Sequence, residues 1–409
     1  MIPKKKKVAV VYGSSIPIPP MRGGAPAIVI YNQIKDLQNK NYSIKVFSNW
    51  EDGIDQYNKQ KEIFTNVRLN KLDKILYSLA FRIPYKVKKL IFGTSRPEMI
   101  SYYICLIRNL IIYNPDMIVI HVTYHLVFLL GIIFRLKKII FYHHGSNMHK
   151  VLGEDKWNQL VKYSRNGIIA VSKSAFIGTK DSFKNKPRNS WVIHNGVNTE
   201  LFYPLEKVEK NKIRKSLNIP DDSIIYVYHG RIYHTKGIHH VIDSFKKSQN
   251  HNSNSYLIII GSSSKENWAD SDYETLIKKK SKNVRDKIIF LGWVENSDLR
   301  NYLGISDYGL LISKVEEGIS LSMLECMACA VPVIATPMGG TTEVIKHNKN
   351  GIIIDKKNIE ESLDSVMENI NRNIYEYSEM KLFAKNTIEK HHNYKIVSKK
   401  FESVLKNIL

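Results

Sequence analysis

The chain predicts an α/β fold made of two doubly wound parallel sheets, and three observations carry that expectation. The first half strings together VAVVY, IKVFS, MIVIHV, KIIFYH, GIIAVS and WVIHN. These are short β-rich runs, apolar on both faces, as strands inside a covered parallel sheet are. Past VIHNGVNTELFYP the series restarts with IIYVYHG, YLIIIGS, IIFLGW, YGLLIS, VPVIAT and GIIID. Helical stretches lie between several of the runs, which is the sequence form of right-handed β–α–β crossovers. Finally, 409 residues exceed what one hydrophobic core usually organises.

Taken in order, VAVVY follows a basic cluster at residues 4–7 and runs into the RGGAP loop, after which 27–40 reads as a helix. The uncharged run 117–134 has the length of a membrane span but contains His121, Thr123 and His125. It reads better as a buried strand, MIVIHV, followed by a helix, LVFLLGIIF. Ser172 in AVSKSAF has the position of a helix N-cap. Asn195-Gly196 and Pro204 mark a turn and linker, placing a first domain at 1–197 and a second at 198–377. A Lys-rich helical segment then occupies 378–409. Ligands of doubly wound sheets bind outside the C-terminal strand ends, so two such edges facing each other would make the active site a cleft.

Composition narrows the function classes. The net charge is +23, from 61 Lys and Arg against 38 Asp and Glu. Three of the four basic clusters (residues 4–7, 86–89 and 135–138, against 278–280) fall in the first 140 residues. That distribution fits an N-terminal half resting on an anionic membrane surface, with dispersed solvated charge as the alternative. No nucleic-acid motif accompanies the charge, so nucleic acid is not expected as a partner. Cys105, Cys326 and Cys329 are too few for a disulfide framework, and the CxxC pair has no second half to complete a zinc site. VAVVY is too short for a secretory apolar region, so a cytoplasmic location is expected, with peripheral attachment at the inner face of the cell membrane.

The most informative stretch is EEGISLSMLECMACAVPVIAT, in which seven residues separate Glu317 from Glu325. A helix starting just after Gly318 would aim its unpaired N–H groups and positive dipole end at an anion. Eight helical positions come to slightly more than two turns, which would set both carboxylates on one face. Ahead of it, HGRIYHTKG places Gly230, Arg231 and Lys236 just past a strand end. The guanidinium suits bidentate contact with phosphate oxygens, and the lysine adds a mobile second charge. Gly23 and Gly24 of RGGAP allow close backbone approach to a ligand. KIIFYHHG ends in His143 and His144, adjacent residues that a strand would point to opposite faces.

In this order RGGAP, HHG, VIHNGVNTELFYP, HGRIYHTKG, IIIGSS, FLGWV, the Glu317–Glu325 segment and PMGGTTEVI resemble retaining glycosyltransferases of family 4, the group 1 transferases with the GT-B fold. The resemblance covers most of the chain and implies two Rossmann-like domains facing across a cleft, the first on the acceptor side and the second binding the nucleotide sugar. It implies that Arg231 and Lys236 bind the donor pyrophosphate, that Glu317 faces the transferred sugar and that Glu325 reaches the ribose. By the same resemblance His144 is the cleft histidine, while Gly23, Gly24 and Gly230 lie along the donor. The base pairs near Val294, and the backbone of Gly318, Ile319, Ser320 and Leu321 meets the phosphate. Ser320 stands where the family usually has a glycine, which restricts the backbone more.

The implied reaction moves a sugar, with retention, from a nucleotide-diphosphate donor to a hydroxyl of a cell-envelope or lipid-linked saccharide. UDP is the commoner nucleotide of the family, and GDP stays open. Asp270 and Asp272 form the DSD spacing with which another transferase class holds a divalent ion. They sit in a polar stretch read as a solvated loop, and the Arg231–Lys236 pair can replace a metal electrostatically, so neither metal nor cofactor is expected. Two rival readings remain. One is a sugar-nucleotide epimerase of the same architecture, which would need groups poised for proton abstraction. The other is a non-enzymatic basic scaffold on a membrane surface.

Overall fold

The strand runs pair in the computed structural model as their two-sided apolar pattern requires. Residues 5–21, 23–35, 37, 42–145, 148–176, 185–250, 254–263, 271–372 and 377–409 are described. The chain divides into two units, one comprising Met1–His194 with Val397–Leu409, the other Asn195–Ile396.

The first unit holds β1 (Lys6–Tyr12), β2 (Tyr42–Asn49), β3 (Phe64–Val67), β4 (Met117–His121), β5 (Lys138–His143), β6 (Gly167–Ala170) and β7 (Ser190–Val192). They form a parallel sheet in the order β3-β2-β1-β4-β5-β6-β7. The direction of winding reverses between β1 and β4. Along β1, Val8 and Val10 face one core layer while Ala9 and Val11 face the other, the period-two alternation of a strand. One layer packs on Tyr102, Leu106 and Leu110 of the helix Pro97–Tyr113. The other receives Val397, Phe401, Val404 and Leu405 of the last helix, Tyr394–Ile408.

The second unit holds β8 (Ile224–His229), β9 (Ser255–Ile260), β10 (Ile288–Gly292), β11 (Tyr308–Leu311), β12 (Val333–Ala335) and β13 (Gly351–Ile353). Its parallel sheet runs β10-β9-β8-β11-β12-β13 and reverses between β8 and β11. Val197 and Asn393 form a bridge within this unit: Val197 N donates to His392 O at 2.8 Å, and Tyr394 N to Val197 O at 3.1 Å.

Several boundaries differ from the sequence reading. The units divide at 194/195 rather than after 197, and the terminal segment is shared, with 377–396 in the second unit and 397–409 in the first. The helix expected over 27–40 runs Ala25–Ile34. The edge strand β3 went unread because FTNV buries only its ends. Helices Lys71–Phe81 and Tyr85–Phe92 were also unread. Ser172 precedes a short 3-10 turn, Ser174–Phe176, and its Oγ accepts from Ala175 N at 3.3 Å.

Candidate functional site

In the second unit the strand order reverses between β8 and β11, and a doubly wound sheet opens a ligand crevice at the carboxyl end of such a reversal. Past β8 come Gly230, Arg231, the 3-10 turn His234–Lys236 and the helix Ile238–Gln249. Past β11 the chain crosses 312–320 without regular structure and enters the helix Leu321–Ala328.

The two segments meet at Glu317. Lys236 Nζ donates to Glu317 Oε1 at 2.5 Å, and Ser313 Oγ donates to the same oxygen at 2.6 Å. The loop is held along its length: Lys314 N donates to Thr235 O at 2.8 Å, Gly340 N to Glu317 O at 3.1 Å and Asn195 Nδ2 to Ile319 O at 2.7 Å. Two glycines make this closeness possible. A Cβ on Gly237 (φ 66°) would lie 2.2 Å from Ile312 O, and one on Gly339 (φ 57°) would lie 1.7 Å from Glu317 O. Arg231 is exposed, and its carbonyl accepts from Tyr228 Oη at 2.7 Å. Its guanidinium has no ion-pair partner among the described residues.

The helix begins at Leu321 rather than just after Gly318, so Glu317 precedes it and the two carboxylates do not share a helix face. The loop stays non-helical because its backbone groups bond to neighbouring segments. Ser320 is the N-cap at φ −67° and ψ 129°, a conformation any L-residue adopts, so serine there needs no glycine-like freedom. Its Oγ contacts Ser322 Oγ at 2.7 Å and does not cap the helix, which leaves the first-turn N–H groups without a side-chain acceptor. Gly318, Ile319 and Leu321 lie along this entry, with Ile319 and Leu321 buried.

Glu325 sits one turn into the helix and is 5% exposed. Burial raises its pKa to about 8 and lowers that of neighbouring His229 to about 4. His229 Nε2 and Glu325 Oε2 are 2.9 Å apart but not aligned for a hydrogen bond. Val294 is half-buried between β10 and the helix Asn296–Gly304, beside Trp293, which is exposed. Gly230 stands at the end of β8, where its N donates to Ile260 O at 3.0 Å.

In the first unit the reversal lies between β1 and β4, and here histidines gather. His121 Nδ1 and His144 Nε2 share a hydrogen bond of 2.8 Å, and both rings stack on Tyr142, at 4.7 Å and 4.8 Å. His143 turns instead toward Phe141, on the opposite face. Burial holds His121 well below the ordinary histidine range and brings His144 down to about 3, so both imidazoles are neutral near pH 7. His144 Nδ1 and His121 Nε2 are buried without a hydrogen-bond partner. Val122, next to His121, adopts φ 72°, a strained conformation for a β-branched residue. Gly24 (φ 141°) caps the helix Ala25–Ile34, with exposed Gly23 before it.

Sequence reasoning missed Ser313, His229 and His121, as well as the role of Asn195 in VIHNG. The first three stand at or just beyond carboxyl ends of strands flanking the two reversals, and that position was the available signal. Among the described residues no group of three or more His, Cys, Asp or Glu could hold a metal ion. Asp270 lies outside the described residues, and Asp272 is exposed in the first turn of the helix Ser271–Lys280 rather than in a loop.

Comparison with known proteins gives a consistent picture. Residues 23–201 match the family described as Glycosyltransferase Family 4, and residues 209–394 match Glycosyl transferases group 1. An uncharacterized glycosyltransferase of Methanocaldococcus jannaschii is 32% identical over 201 residues, 49% of each chain. The lipopolysaccharide 1,2-N-acetylglucosaminetransferase of Salmonella typhimurium is 25% identical, over 53% of this chain and 56% of that one. The chain thus spans about half the length of the curated relatives it matches. Among solved structures, Anabaena HepE in complex with UDP-glucose superposes with a TM-score of 0.74 at 15% identity, covering 98% of this chain and 99% of that one. At that identity the likeness speaks for the fold, the paired Rossmann-like units of the GT-B class.

Proposed function

The chain belongs to the group 1 glycosyltransferases of family 4, and on that premise we propose that it transfers a sugar, with retention, from a nucleotide-diphosphate donor to a saccharide hydroxyl. A UDP-sugar is the proposed donor, in keeping with the UDP-glucose bound by the Anabaena protein. The proposed acceptor is a cell-envelope or lipid-linked saccharide, the class to which lipopolysaccharide belongs.

The observation that carries the reading is the Lys236–Glu317 contact beside an uncapped helix start and an exposed Arg231. The Glu317 carboxylate, itself held by Ser313, holds Lys236 in place. An arriving diphosphate competes for the ammonium and takes it together with the guanidinium and the N–H groups of the first helical turn. Gly230, Gly318, Ile319, Ser320 and Leu321 supply backbone along this path, and Glu317, released from Lys236, turns to the sugar. As the glycosidic bond breaks, the leaving diphosphate gains charge, and fixed cations and dipoles stabilise it where it forms. The acceptor hydroxyl attacks from the face the diphosphate leaves, and a phosphate oxygen takes its proton. Glu325 is assigned to the ribose, Val294 to the base, and Gly23 and Gly24 to the loop over the phosphate. A neutral imidazole with an unpartnered Nδ1 suits His144 for a hydrogen bond to the donor sugar.

Charge neutralisation by Arg231 and Lys236 makes a metal unnecessary in this scheme. Incubation with radiolabelled sugar nucleotides and a saccharide panel, with and without EDTA, tests it. The expected result is label on the acceptor in both conditions. Epimerised nucleotide sugar without transfer would refute the reaction, and loss of transfer in EDTA restored by manganese would refute the metal-free scheme.

A further inference from the structure

Helices Lys71–Phe81 and Tyr85–Phe92 of the first unit are amphipathic in an unusual sense. Leu72, Ile75, Leu76 and Leu79 follow the i, i+3, i+4, i+7 spacing that normally turns one helix face to the core. Here the stripe faces outward: Leu72, Ile75 and Leu79 are each more than half exposed. On the second helix Val87, Leu90 and Ile91 repeat the spacing, Leu90 is 84% exposed, and no residue of that helix is buried. So much apolar surface exposed to water on consecutive helices calls for a covering surface.

The charges around the stripe say which kind. Residues 71–92 contain Lys71, Lys74, Arg82, Lys86, Lys88 and Lys89 against one acid, Asp73. Asp73 is fully buried and pairs with Arg108 at 2.9 Å, so no carboxylate of the two helices reaches the surface. That pair and the Asn70–Asp73 capping box anchor the first of the two helices. The outer side is therefore apolar in its stripe and purely cationic around it. A second copy of a chain carrying a net +23 would oppose like charge to it. The interface of an anionic bilayer offers both acyl chains and negative headgroups.

We propose that these two consecutive helices are a membrane-docking element, lying in the plane of an anionic lipid surface with Leu72, Ile75, Leu79, Leu90 and Ile91 in the acyl boundary and the lysines at headgroup level. The element uses no residue of the transfer site, so it stands or falls apart from that reading. It predicts binding that is part electrostatic and part apolar. Salt, with a screening length of about 8 Å at physiological strength, removes only the first part.

The test is co-sedimentation of the full chain with phosphatidylcholine vesicles with or without phosphatidylglycerol. Three proteins are compared: wild type, Leu79→Glu/Leu90→Glu, and Lys86→Gln/Lys88→Gln/Lys89→Gln. Both leucines are exposed, so their replacement leaves the fold intact, which thermal unfolding checks directly. Wild type should partition to the phosphatidylglycerol vesicles and keep part of that binding at high salt. The leucine variant should lose partition by about tenfold or more, and the lysine variant should lose the salt-sensitive part. Leu90→Trp should shift its emission to the blue on anionic vesicles. Absence of vesicle binding, or equal binding by wild type and the leucine variant, overturns the proposal. So does a dimer in light scattering that the leucine variant dissociates, which would make the occupant a second copy.

Discussion

Glu317 and Glu325 belong to one sequence motif, yet the structure gives them opposite surroundings. Glu317 lies on a loop, about one-fifth exposed, with a lysine ammonium and a serine hydroxyl on one oxygen. Glu325 lies inside a helix, 5% exposed, with a histidine at 2.9 Å whose own proton affinity is depressed. The first is paired with a cation. The second is driven toward its neutral form because burial penalises its charge. Eight residues of separation thus convert one side chain into two chemical tools, one that can exchange partners with an anionic ligand and one preset as a proton-bearing group.

The comparison breaks most severely at Gly339, whose Cβ position is occupied by the Glu317 carbonyl. Gly339→Ala should displace the loop, with about 1–2 kcal/mol lost to the positive φ alone and the overlap adding to it. Thermal unfolding should show a drop of several degrees together with loss of donor binding, and a wild-type melting curve would contradict the packing described. Next comes Glu317→Gln, which in the proposed scheme removes a contact that strengthens as the sugar–phosphate bond breaks. It should lower kcat by about 10²–10³-fold with little change in affinity for free UDP. Glu325→Gln should raise the KM for donor and weaken free UDP. Equal loss of UDP affinity in both variants would erase the distinction between them.

A smaller effect is the pH dependence of stability. The Glu325 carboxyl is neutral in the fold up to about pH 8 but ionises near 4.5 in the unfolded chain. The stability it contributes is complete below pH 4.5 and is lost as pH rises through 8. His229 has the opposite sign: its folded pKa of about 4 lies below the unfolded 6.5, so its contribution is present above pH 6.5 and is lost on acidification toward pH 4. Melting temperatures of wild type and Glu325→Gln should therefore diverge in favour of the variant between pH 5 and 8. Parallel curves would place a charged carboxylate at position 325. The smallest expected signal is spectroscopic: His144 should show neutral imidazole nitrogen shifts down to about pH 5, and His121 should titrate below the ordinary histidine range, since both pKa values are depressed by burial.

Both sheets were legible because parallel strands covered on two faces must be apolar throughout, a pattern that MIVIHV and YLIIIGS show. That Lys236 and Glu317 serve one donor site was an expectation from the family resemblance alone, and the strand order that brings them together is visible only in the structure. The start of the helix at Leu321 was not, because the contacts that hold 312–320 open come from Thr235, Asn195 and Gly340, remote in sequence. Burial of Glu325 was equally invisible: a glutamate reads as surface until the helix is packed. The outward stripe of 71–92 escaped for the converse reason, since periodicity gives the face of a helix and not the side on which the core lies.

The account turns on whether the carboxyl end of β8 receives a diphosphate, and calorimetric titration of UDP and UDP-glucose into wild type and Arg231→Ala tests that most directly. Arg231 is exposed and carries no fold-supporting side-chain contact among the described residues, so the variant should melt as wild type does. Wild type should bind, and the variant should lose about 2–5 kcal/mol of binding free energy. Unchanged affinity in the variant, or no nucleotide binding by wild type, would contradict the central claim.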